Sequence, residues 1–109
     1  MTIWKEKLDH EFEQAQLARA QGNEGKARVC ARRAAGIAIR EYYARQGRSV
    51  HTESAYDLLK MFSEEPNISP DLKQSATYLT LRVTEEFKLP VEVDLLVQAR
   101  KLCDRLLAR

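Results

Sequence analysis

Apolar residues recur along this chain at the three- and four-residue spacing of α-helices, and no stretch shows the strict alternation of a half-buried strand. Five helical stretches are separated by short polar breaks. The first, about 2–21, carries Trp4, Leu8, Phe12, Ala15 and Ala18 on one side, with Thr2 as a starting cap and Glu6 and Asp9 near the positive end of the dipole. Gly22 and Asn23 tolerate left-handed backbone and end it. The third, about 53–64, places Ala55, Leu58, Leu59 and Phe62 in a stripe behind a Thr52 or Ser54 cap. The fourth opens on Ser69-Pro70-Asp71, a helix start with Pro in the first turn, and is expected to run to about 87, burying Leu72, Ala76, Leu79, Val83 and Phe87. Leu89-Pro90 breaks the pattern. The fifth, about 91–108, sets Leu95, Ala99, Leu102 and Leu106 on one face with Leu96 and Cys103 beside them.

The second stretch, about 24–45, is the most distinctive. Ala27, Ala31, Ala34 and Ala38 form one narrow seam, which Tyr42 extends, and such small side chains let a neighbouring helix axis come close. Val29, Cys30, Ile37 and Tyr43 put apolar atoms on other sides, as in a buried helix, so this helix is expected at the centre. Gly36 costs about 1 kcal/mol of helix propensity relative to Ala, and close packing is the expected reason for it. Asn23 caps the start and Gly47 stops the end. Short connections make neighbouring helices antiparallel. The expected fold is therefore an all-α, five-helix up-and-down bundle in a single domain over 1–109, with no internal repeat.

Composition agrees. A chain of 109 residues suits one domain and buries about 60–70% of its unfolded surface without staples. Four glycines and three prolines are too few for a turn-rich β fold. No run approaches the length of a membrane span, and the first residues lack the apolar run of a signal peptide. Cys30 and Cys103 fall within apolar helical patterns and read as buried, reduced thiols, which makes the cytoplasm the expected setting.

Charge changes the picture more. Lys26, Arg28, Arg32, Arg33, Arg40, Arg45 and Arg48 stand against Glu41 alone, so 26–48 carries +6 of a net +2 and the remainder carries −4. Pairing with acids of the other helices (Glu13, Asp57, Glu85, Glu86) or a dimer interface accounts for this first; an anionic ligand or nucleic acid is the alternative.

The order of elements resembles the HEPN superfamily, small helical bundles found beside or fused to minimal nucleotidyltransferases. The resemblance rests on the alanine seam followed by Tyr42-Tyr43, the Gly47 loop, His51, the Leu58-Leu59 helix, Phe87 to Pro90, and the last helix with Ala99 and Leu102, over roughly 10–108. It implies a four- to five-helix bundle, commonly a homodimer, with a nucleotidyltransferase as a possible partner. Ribonuclease members carry an Arg followed after four to six residues by a His near the start of the penultimate or last helix. Here no histidine follows Arg82, so a non-catalytic interaction or binding module, engaging a nucleotide or a nucleotidyltransferase partner, is the expectation. The alternative is an RNA-cleaving or RNA-binding toxin-type protein acting through Arg45, Arg48 and His51, which have a suitable gap but lie across a loop.

Other chemistry finds little support in the residues. His10 and His51 lack metal-ligand partners at helical spacing, adjacent acids on a helix diverge, and no metal or cofactor is expected. Cys30 lies among arginines that favour a thiolate, but a small core residue is the plainer reading. Gly22 to Lys26 lacks the spacing of a phosphate loop. If a ligand-binding surface exists, the expected residues are Arg40, Tyr43, Arg45, Arg48 and His51, where basic and aromatic side chains meet at the end of the second helix.

Overall fold

The computed structural model describes residues 3–81 and 92–107. Within them lie five helices: α1 (Ile3–Ala20), α2 (Glu24–Arg45), α3 (Ala55–Ser63), α4 (Pro70–Leu79) and α5 (Leu95–Leu107). The chain is an all-α bundle, and no helix among the described residues is long and apolar enough to cross a membrane.

The helix ends follow from local side-chain chemistry. Asn23, Ser54 and Ser69 accept hydrogen bonds from the backbone N–H groups of Lys26, Asp57 and Leu72, satisfying donors that the first turn leaves orphaned. Asp94 does the same for α5, accepting from Leu96 at 3.0 Å and Val97 at 3.4 Å. α1 and α2 close with paired bonds around a left-handed glycine. At Gly22 (φ 77°) the Asn23 amide reaches the Ala18 carbonyl, and at Gly47 (φ 70°) the Arg48 amide reaches that of Tyr43.

α2 is the axis of the fold. It packs against α1, α3 and α5, while α3 meets α4 and α4 meets α5. Ala27, Ala31, Ala34 and Ala38 are all fully buried. The Cys103 thiol lies 3.8 Å from the Ala34 carbonyl, so α5 presses directly on the seam. Around it close Leu8, Ile39, Tyr43, Leu59, Phe62, Leu79 and Leu102, each large apolar side chain contributing about 1.5–3 kcal/mol on burial. Both cysteines are buried, and burial pushes the Cys30 thiol above its ordinary pKa.

Two boundaries differ from the periodicity. α4 stops at Leu79 rather than continuing to 87; Arg82, Val83, Glu85, Glu86 and Phe87 lie outside the described residues. Hydroxyls compete with the helix ladder here: Thr77 donates to the Lys73 carbonyl at 2.9 Å and Thr80 to the Thr77 carbonyl at 2.7 Å. α5 begins at Leu95 because Asp94 is its cap, not at 91.

Candidate functional site

The five residues singled out at the end of α2 separate into different surroundings. Tyr43 is fully buried, and its hydroxyl donates to Glu65 at 3.3 Å. Burial, then the neighbouring Glu65 carboxylate, pushes its pKa up to about 12. Arg48 stands 4.4 Å from the Tyr43 ring centre and pairs with the same Glu65 at 2.7 Å, holding that carboxylate below its usual range. The three therefore tie the Gly47 loop and the end of α3 to α2. Arg45 pairs with Glu41 at 3.3 Å and lies over the Trp4 ring. His51 is exposed and makes no hydrogen bond or ion pair among the described residues. Arg40 points elsewhere, donating to the Thr52 carbonyl.

The other arginines of α2 do not pair with Glu13 or Asp57; Glu85 and Glu86 lie outside the described residues. Arg32 donates from Nε to the Leu79 carbonyl at 2.8 Å and from its terminal nitrogen to the Leu81 carbonyl at 2.7 Å. It closes the C-terminus of α4, where helix carbonyls lack partners and a cation is favoured. Burial, with Arg28 nearby, lowers its pKa. Among the described residues, Arg28, Arg32, Arg33 and Arg40 form no ion pair with a carboxylate.

These side chains border a set of adjoining concavities along α2. A groove of about 470 Å³ runs along α2 where α1 and α3 flank it, lined by Val29, Gly36, Ile37, Ala55 and Leu58 between Arg32, Arg33, Arg40, Glu11 and Glu53. A second hollow of about 400 Å³ shares Val29 and Arg32 and adds Gly25, Arg28, Tyr56, Thr80 and Leu81. A third of about 530 Å³ shares Ile37, Arg40 and Glu53 and adds Ile3, Trp4, Lys7, Glu41 and Ala44. Together they follow one side of α2 from Gly25 to Ala44. At 3.6 residues per turn, Val29, Gly36 and Arg40 fall about half a turn from the alanine seam. The helix is thus central yet open on its far side, with Val29 41% exposed.

Gly36 explains how the groove is shaped. A Cβ there would sit 3.0 Å from the Ala55 Cβ and 3.1 Å from its Cα, so only glycine admits the start of α3 this close to α2. Of the expected site residues, only Arg40 lines the groove; Val29, Gly36, Ile37, Glu53 and Ala55 were not anticipated as a group. The visible signal is Val29, Gly36 and Arg40 at helical spacing opposite the seam, with Ile37 about a quarter turn from it. Sequence alone assigned those apolar positions to the core, because nothing in it reveals which side a fourth neighbour leaves uncovered.

Comparison with family models, curated proteins and solved structures finds no match to this chain.

Proposed function

We propose that this chain is a non-catalytic, HEPN-like helical interaction module, homodimeric, that engages a protein partner through the open side of α2. The groove carries this reading. Aliphatic side chains lie between arginines that form no ion pair among the described residues, and an apolar strip of that kind on a small domain marks an interaction surface. Binding is favoured over catalysis because Arg45 and Arg48 are already held by Glu41 and Glu65, leaving His51 without a cationic partner to share a reacting phosphate. A nucleotidyltransferase is the partner class that the HEPN resemblance implies.

Size-exclusion chromatography with light scattering tests the assembly: twice the 12.6 kDa chain mass is expected, and a monomer at high micromolar concentration counts against it. Incubation with total RNA tests the absence of catalysis. Intact RNA is expected; cleavage that disappears in His51→Ala would replace this reading with the RNA-cleaving one.

A further inference from the structure

The open side of α2 spans the nineteen-residue step from Gly25 to Ala44, about 28 Å at 1.5 Å per residue, which matches a helix of about five turns. Its charge is graded along that length. At the N-terminal end, Arg28 and Arg32 line a hollow with no carboxylate among the described residues of its walls, and Arg33 follows in the central groove, whose walls also hold Glu11 and Glu53. At the other end Arg40 and Lys7 are balanced by Glu53 and Glu41. Arg32 is oriented by two carbonyls, which are neutral, and no carboxylate among the described residues pairs with it.

We infer that this groove receives an amphipathic helix of a partner protein, its apolar stripe on Val29 and Ile37 and its acidic end against Arg28, Arg32 and Arg33. The inference rests on the reading of the groove as the working surface. Helix-in-groove recognition needs an elongated apolar trough with charges that set the direction of the guest, and both are present. Single-stranded RNA would need a run of rings for base stacking; among the described residues the central groove has none, and Tyr56 and Trp4 stand apart in the hollows at its two ends.

The test uses the full chain and three designed 20-residue helical peptides sharing one leucine stripe. One carries glutamates at its N-terminal end, one glutamines and one lysines there; binding is read by fluorescence anisotropy. The acidic peptide is expected to bind about tenfold more tightly than the glutamine peptide, with the lysine peptide weakest. Arg33→Glu should erase the preference and Val29→Asp should weaken all binding. Both positions are exposed, and thermal melting verifies that the variants fold. Equal affinity for the acidic and glutamine peptides overturns the acidic partner and leaves the groove reading standing. A homodimer that dissociates in Val29→Asp means that a second copy occupies the groove, which overturns the inference but not the interaction module. Single-stranded RNA displacing the acidic peptide from the wild type, but not binding Arg33→Glu, overturns it in favour of nucleic acid. No peptide binding together with a monomeric chain overturns both.

Discussion

Arg32 sits on the boundary between scaffold and surface, and its replacement by Met separates the two roles. Met retains most of the aliphatic stem and removes both hydrogen bonds to the Leu79 and Leu81 carbonyls. Bonds from a charged donor contribute about 1.5–3 kcal/mol each. The low end applies here, because the side chain borders an open hollow and water can rehydrate the freed carbonyls; that makes about 3 kcal/mol for the pair. Releasing the immobilised arginine returns roughly 1 kcal/mol of rotamer entropy, and the net loss is about 2 kcal/mol. For a domain of about 100 residues that corresponds to a fall in melting temperature of roughly 8–12 °C. Circular dichroism melts of Arg32→Met beside Arg33→Met measure it, since Arg33 is exposed and makes no ion pair among the described residues. Hydrogen exchange adds the location: amides at the end of α4 should lose protection first. If the two variants melt within about 2 °C of one another, Arg32 does not hold α4 and the account of its carbonyl contacts is wrong.

The remaining predictions are more local. Gly36→Val places branched carbons where Cβ alone already meets the Ala55 backbone at 3.1 Å, so a loss of about 2–3 kcal/mol is expected from overpacking despite better helix propensity; an unchanged urea midpoint would show that α3 yields freely. Tyr43 should remain protonated in absorbance titrations until pH approaches about 12, against about 10 in the unfolded chain. Because its folded pKa is the higher, that contribution to stability is complete below the unfolded value and is lost as pH rises through the folded one. Arg19 bonds Glu24 at 2.6 Å and Asp94 at 2.9 Å and holds both carboxylates below their ordinary pKa. Stability from these two is present above the unfolded carboxylate pKa and disappears as pH falls through the folded values. Arg19→Gln should therefore flatten the acid-side loss of melting temperature, and an equally steep loss would assign it to other groups.

Much of this fold was legible in the order of residues. The alanine spacing on α2, the asparagine and serine caps, and the two left-handed glycines act within a few residues of themselves, so periodicity and capping chemistry reveal them directly. The alanine seam also announced that α2 would be approached closely, because side-chain size sets how near two helix axes come. What the sequence could not contain was the pairing of distant groups. Arg32 and Leu79 are forty-seven residues apart, and only packing of α2 against its neighbours brings that guanidinium to the end of α4 in place of a carboxylate. The same holds for Tyr43 and Arg48, expected as ligand residues, which meet Glu65 across the fold as a buried hydroxyl and a stacked cation around one shared acid. The groove is the clearest case. Val29 and Ile37 are apolar wherever they lie, but whether an apolar face is core or surface depends on how many helices reach it. Local chemistry determined the helices; tertiary packing decided which side of the central one stays open among the described residues.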